Sequence, residues 1–248
     1  MRTLFLAWQA PDARQWFPVG RLEADPEHSC FVFQYTHGAI DAKRDGFHPI
    51  ASFPRLEERY QSEELFPMFK NRVIGQHRKD FASYLRSLDL YHNDPIEILA
   101  ITGGGRQTDS FEVFPKIERA LDNSFSCRFF LHGLRYMTNV AKTRVKSLQP
   151  GEALGVSVEL TNPATDLAIQ LTTDDYAFVG WTPRYLVDDL LQAIAKTRRI
   201  AAKVVRVNDD DVPENRRVLI ELSGFLPEGF EPMGTEPFLP ISRSMPLQ

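Results

Sequence analysis

An α+β protein in two parts is what this sequence predicts: an N-terminal small sheet plus helices, followed by a small β-barrel or curled sheet with helices. Three observations lead there. Up to Tyr35, short apolar runs alternate with Pro11, Pro18 and Pro26, the pattern of short strands joined by turns. From Leu56 to Leu90 the apolar residues recur at helical steps instead. Beyond Pro150-Gly151, strand-like runs return, separated by the turn dipeptides Asn162-Pro163 and Thr182-Pro183.

Taken in order, residues 4–8, 17–22 and 30–35 read as strands. In the third, Phe31, Phe33 and Tyr35 recur every second residue, so they share one face, which is expected to be core. The middle is expected to be helical over 57–60, 63–74 and 79–90, with Phe81, Tyr84, Leu85, Leu88 and Leu90 on one side. Asp94 suits an N-cap and Pro95 the first position of a short helix over 96–100, which Gly103-Gly104-Gly105 stops. In the second half, strands are expected over 153–160, 168–171, 177–181 and 218–222. A helix over 185–200 carries Leu186, Leu190, Ile194 and Thr197 at three- and four-residue steps. The tail after Gly229 is expected to be extended or loosely packed. The boundary falls between about Lys116 and Ser126, giving regions 1–120, 126–232 and a tail 233–248.

The bulk properties narrow the classes. At 248 residues, 43% hydrophobic and 25% charged, the chain can bury two cores. A formal charge of −4 excludes a polycation that coats duplex DNA by neutralising many phosphates, but permits a local basic patch. Cys30 and Cys127 lie far apart and build no disulfide framework, which fits a reducing compartment. The apolar patch at 4–8 is too short for a signal peptide, and no run approaches the roughly 20 apolar residues of a membrane span. The expected location is cytoplasmic, with no membrane partner.

Between Phe129 and Arg184 the chain presents, in order, Phe129-Phe130-Leu131-His132-Gly133-Leu134-Arg135-Tyr136, then Leu148-Gln149-Pro150-Gly151-Glu152, then Asn162-Pro163-Ala164-Thr165-Asp166-Leu167-Ala168-Ile169, then Val179-Gly180-Trp181-Thr182-Pro183-Arg184. This succession resembles the HIRAN domain family, over residues 129 to about 232. The resemblance implies a small β-barrel with added helices, of a kind found alone or fused to helicases and nucleases. In fork-remodelling members such a domain holds the 3′ end of single-stranded DNA. Arg135 and Tyr136 then stand where DNA-binding members have an Arg-Tyr pair, Arg for a phosphate and Tyr for a base. Asn162 matches the family's turn asparagine, and Trp181, next to Gly180, lies in the motif where the binding members have a DNA-facing residue. Ala164 stands where the family has an aromatic, and the following acid arrives one residue late, as Asp166. Losing one base-stacking ring, worth roughly 1–3 kcal/mol per base, implies weaker or differently shaped binding. The first half, through Leu4-Phe5-Leu6-Ala7-Trp8, Val19-Gly20-Arg21-Leu22, Phe31 to Tyr35, Phe53-Pro54 and Leu65-Phe66-Pro67-Met68-Phe69-Lys70-Asn71-Arg72, is similar to the N-terminal region of HipA-type proteins. That similarity implies a regulatory or docking piece without the kinase machinery.

The chemistry in the sequence points the same way. Arg135, Lys142, Arg144 and Lys146 form one stretch without an acid, and Lys196, Arg198, Arg199, Lys203 and Arg206 form another, so a near-neutral half can present a phosphate-attracting face. The plainer interpretation is a set of solvated surface cations. Gly103-Gly104-Gly105-Arg106 lacks the Gly-Lys-Ser/Thr ending of a phosphate loop. His77-Arg78-Lys79-Asp80-Phe81 carries one residue too many for a kinase catalytic loop. Asp209-Asp210-Asp211 before Val212-Pro213 reads as a solvated turn, and the histidines are too dispersed for zinc.

No catalytic residue, metal site or cofactor is therefore expected. The expected function is that of a nucleic-acid-binding accessory protein, capturing single-stranded DNA or DNA ends in genome maintenance or phage defence. Arg135, Tyr136, Asn162, Asp166, Trp181 and Arg184 would form the contact surface, supported by Lys142, Arg144 and Lys146, with a helicase, nuclease or kinase as partner protein. The alternative is a protein-interaction regulator, a HipA-like antitoxin or kinase-partner fragment, which predicts an exposed apolar patch around 65–69. A nucleic-acid hydrolase is a third class, for which the sequence supplies no nucleophile or acidic metal cluster.

Overall fold

The computed structural model describes residues 1–197 and 199–242 and has the expected α+β architecture, with two antiparallel sheets and short helices. In chain order the elements are β1 (Arg2–Gln9), β2 (Trp16–Asp25), β3 (Cys30–Tyr35), α1 (His37–Ala42), β4 (Tyr60–Ser62), α2 (Pro67–Lys70), α3 (Phe81–Ser87), α4 (Pro95–Thr102) and β5 (Phe111–Pro115). They continue with β6 (Ser124–Phe130), α5 (Asn139–Lys146), β7 (Ala153–Asn162), β8 (Asp166–Thr172), β9 (Phe178–Trp181), α6 (Val187–Lys196), β10 (Ile200–Val207) and β11 (Val218–Phe225). No helix among the described residues is long and apolar enough to cross a membrane.

The chain forms two compact units that share it in segments. One comprises residues 1–78, 93–116 and 233–248, the other 79–92 and 117–232. This differs from the expected three-region order in two places. Segment 79–92 belongs with the second unit because its groups are bonded there: Asn208 Nδ2 donates to the Ser87 carbonyl at 2.9 Å and Arg128 pairs with Asp89 at 3.2 Å. The segment after Gly229 is not loose through Ser242. The Leu239 carbonyl accepts from His37 N at 2.9 Å, Ile241 N donates to the Tyr35 carbonyl at 2.9 Å, and Phe238 packs edge-on against Phe5 at 5.0 Å.

In the first unit the sheet order is β4-β3-β2-β1-β5. Leu4 and Leu6 of β1 face the main cluster with Val19, Leu22, Phe33 and Tyr35, while Phe5 faces the other way onto Phe114, so both sides of this interior strand are buried. Pro18 cannot donate to the ladder, and the register slips beside it between Leu6 and Ala7. The aromatic face foreseen at Phe31, Phe33 and Tyr35 is core, with Phe33 stacked on Phe53 at 4.0 Å. The Tyr35 hydroxyl donates to the Phe53 carbonyl at 2.8 Å and accepts from Ile50 N at 2.7 Å, and burial pushes its pKa up to about 12. Asp94 caps α4 by accepting from Ile96 N and Glu97 N, and Gly103, at φ +73°, ends it, as the sequence implies.

In the second unit the order is β6-β11-β10-β7-β8-β9. No strand ladder among the described residues closes this sheet into the expected barrel; a single bridge, His132 with Trp181, spans from the exit of β6 to β9. Strand β10 occupies part of the basic stretch after Lys196, where the sequence reading ends a helix at 200. The helix itself is shorter, and Val187, Leu190 and Ala193 form the buried side of α6. Arg198 of that stretch lies outside the described residues.

Candidate nucleic-acid interface

The candidate site is a corner of the second unit's sheet, and the chain is driven into it by burial. Phe129, Phe130 and Leu131 are core, and Leu131 N makes the last strand bond, to the Val218 carbonyl at 2.9 Å. His132 and Trp181 then exchange two backbone hydrogen bonds, of 3.0 and 3.1 Å. Gly133 follows at φ +86°, and a Cβ there would sit 2.1 Å from the Trp181 ring, so conformation and space both require glycine. The chain can therefore turn tightly into a short 3-10 segment over Leu134–Tyr136, anchored by buried Leu134.

That turn points Arg135 and Tyr136 outward. Tyr136 is 71% exposed, so its ring does not fill core. The Arg135 guanidinium lies 4.6 Å from the Tyr136 ring centroid and also donates to the Tyr136 hydroxyl. Cation and ring are thus held together as one exposed unit. Thr138 then caps α5, its hydroxyl accepting from Ala141 N at 3.3 Å.

Trp181 stands across the bridge. Its ring covers Gly133 and meets Phe178 edge-on at 4.6 Å, and its Nε1 donates to Glu159 Oε2 at 2.6 Å. Arg184 is exposed and opens the next 3-10 turn. His132 keeps accessible surface, yet desolvation by the protein packed around it, followed by the Arg184 charge, pushes its pKa down to about 4, leaving a neutral imidazole at pH 7. Neither Arg135 nor Arg184 makes an ion pair among the described residues.

Asn162 is a different case from the contact residue expected. It is buried, its Oδ1 accepts from Ala164 N at 3.0 Å and Thr165 Oγ1 at 3.1 Å, and its Nδ2 donates to Glu159 Oε2 at 2.9 Å. Three hydrogen bonds from this one amide shape the β7–β8 turn, so it positions rather than contacts. Asp166, exposed at φ +60° and paired with Asn162 in the ladder, fills the left-handed position of the same turn, one that Asp tolerates better than most residues. One oxygen of Glu159 serves both Asn162 and Trp181, and these two hydrogen bonds hold the carboxyl below the usual glutamate range. The sequence reading missed both Glu159 and His132. Of the two partners of Glu159, Asn162 lies three positions away but Trp181 lies 22, so the shared carboxylate gives no local signal, whereas His132 sits inside the quoted run before Arg135.

The supporting cations on α5 are compensated, contrary to the free basic stretch foreseen. Lys142 pairs with Glu214 at 2.8 Å, Arg144 with Glu152 at 2.6 Å and Asp175 at 3.2 Å, and Lys146 with Asp210 at 2.9 Å. Hydrogen bonds from Thr173 and then Arg144 lower the pKa of Asp175, and the bond from Lys146 lowers that of Asp210. A run without acids in sequence becomes a charge-balanced surface because its acids come from other strands and loops.

No protein-family model and no curated protein matches the chain. Among solved structures, a crystal structure of a protein from Lactobacillus plantarum is similar, with 21% identity over 44% of this chain and 96% of its own, at a TM-score of 0.33. At that level the similarity carries no argument about fold or function.

Proposed function

We propose that this chain is a nucleic-acid-binding accessory protein, a binding module rather than a catalyst. In this reading it takes a single strand of DNA, or a DNA end, at the corner formed by Arg135, Tyr136, Trp181 and Arg184. The observation that carries the reading is the Arg135–Tyr136 pair: an exposed ring held under a guanidinium on a short 3-10 turn, with a second cation that makes no ion pair among the described residues, Arg184, opening the turn after β9. A phenol ring can stack on any base while a guanidinium forks onto phosphate oxygens, which suits single strands better than duplexes. The motif order from Phe129 to Arg184, with its likeness to HIRAN domains, supports the same reading and supplies the cytoplasmic genome-maintenance or phage-defence setting, with a helicase or nuclease as partner. The rival reading, a HipA-like regulator, gains no observation: at 65–69, Phe69 is buried and Leu65, Phe66 and Met68 pack against the core.

The test is fluorescence anisotropy with labelled single-stranded oligonucleotides carrying a free or blocked 3′ end, beside a duplex, at two salt concentrations. Salt-sensitive binding is expected, and Tyr136→Ala should weaken it by about 5- to 150-fold, the range for losing one stacked base. Binding that is absent at micromolar protein, or unchanged in the Arg135→Ala/Tyr136→Ala variant, would overturn the proposal.

A further inference from the structure

Helix α5 begins three residues after Tyr136, and two of its lysines, Lys142 and Lys146, are one helical turn apart, so they lie on one side of it. Both are answered by one segment. Glu214 holds Lys142 at 2.8 Å and Asp210 holds Lys146 at 2.9 Å, and both acids belong to the loop between β10 and β11. That loop is fixed at its far side. Arg217, whose side chain is only 11% exposed, pairs with Asp210 at 2.9 Å and donates to the carbonyls of Asn208 at 3.0 Å and Val212 at 3.3 Å. The outer pair is open to water, with Lys146 and Asp210 exposed by 59% and 71%, and the inner pair is partly open, with Lys142 and Glu214 at 33% and 44%. Ion pairs so exposed are weak and readily exchanged for another anion. A buried anchor thus presents two carboxylates to two lysines at exchangeable distance, next to the site already described.

We propose that this side of α5 is a second contact surface for the strand bound at Arg135 and Tyr136, and that Asp210 and Glu214 act as built-in competitors for its phosphates. The inference rests on the nucleic-acid reading and extends it. A strand passing from Tyr136 along α5 displaces the two carboxylates, so Lys142 and Lys146 contribute only when phosphates outcompete the loop. The occupant is a polyanion, because the surface offers paired cations and the groups they already hold are acids.

The experiment titrates a labelled single-stranded oligothymidylate against the whole chain across a salt series, in wild type, Glu214→Gln and Asp210→Asn/Glu214→Gln. Glu214→Gln leaves the Arg217 anchor intact, so it keeps the test sound if the double variant folds poorly. With the competitors gone, binding should tighten roughly tenfold at low salt, and the log–log salt slope should steepen by about 1.4, or 0.7 for each lysine freed. Adding Lys142→Ala/Lys146→Ala should abolish that steepening and bring the slope to the wild-type value or below it. Asp188→Asn/Glu228→Gln, which changes net charge as much as the double loop variant at two acids that pair with neither lysine, should leave it unmoved. An unchanged slope in both loop variants, while wild type binds through Arg135 and Tyr136, sinks the competitor proposal alone. A steeper slope that survives Arg135→Ala/Tyr136→Ala supports the α5 surface and sinks the Tyr136 site. No binding by any variant overturns both.

Discussion

Replacing Gly133 by alanine tests the corner on which the functional reading depends. Two separate costs fall on this position. The backbone sits at φ +86°, where an L-residue pays about 1–2 kcal/mol. The new methyl would stand 2.1 Å from Cε3 and 2.3 Å from Cζ3 of Trp181, so the indole must shift, and overpacking of this kind costs about 1–3 kcal/mol. Together they come to roughly 3 kcal/mol, which for a unit of this size lowers Tm by on the order of 10 °C. The shift also pulls the indole nitrogen from Glu159, so Trp fluorescence should change and oligonucleotide binding should fall even below the unfolding temperature. Gly229→Ala is the reference, since Gly229 has φ +71° with nothing within 4 Å of an added Cβ and pays only the backbone cost. Differential scanning calorimetry on both variants gives the comparison. Equal losses of Tm would refute the packing of Trp181 over Gly133, and with it the geometry of the corner.

Two further predictions concern stability. Arg72, whose side chain is 1% exposed, donates to the Met68 carbonyl at 3.1 Å, the Gly104 carbonyl at 3.0 Å and Asp109 at 2.7 Å. Arg72→Ala should therefore cost about 3 kcal/mol in urea unfolding, and Arg72→Lys should restore little because an ammonium cannot fork to these acceptors; a loss under about 1 kcal/mol would count against the pairing. For Glu159 the sign follows from a folded pKa lowered below the usual value: its stabilisation is present at neutral pH and lost as pH falls through the lowered value. Wild type should exceed Glu159→Gln in stability at pH 7 and converge with it in acid, whereas a gap independent of pH in parallel urea melts would refute the hydrogen-bonded carboxylate.

How far the sequence could be read depended on the range of the forces involved. Local rules served well: Asp94, Pro95 and Gly103 mark α4 from start to stop, and the two-residue period of Phe31, Phe33 and Tyr35 marks a core strand. The middle region kept helical spacing yet yields helices of only four and seven residues, α2 and α3, because isolated short helices depend on packing rather than pattern. Strand β10 hid behind its basic residues, since Lys203 faces a carboxylate, Glu221, supplied by the neighbouring strand at 2.7 Å. The candidate site divides the same way. Arg135 and Tyr136 stand out as adjacent residues and Asn162-Pro163 marks a turn, but no local pattern tells that Glu159 holds the Asn162 amide and the indole of Trp181, 22 positions on, at once. The acids answering α5 lie 8 to 72 positions from their partners, beyond any local pattern.

The division of the chain into interleaved segments bears on synthesis. The second unit has all of its residues once position 232 is made, whereas the first still lacks its last segment. Until residues 233–242 emerge, Phe5 is without Phe238, His37 N has no Leu239 carbonyl, and Thr36 lacks its bridge to Pro240. On a ribosome the part that begins first is thus the part that can be completed last, and its sheet of β1 to β5 stays incompletely covered while the second unit is already able to close.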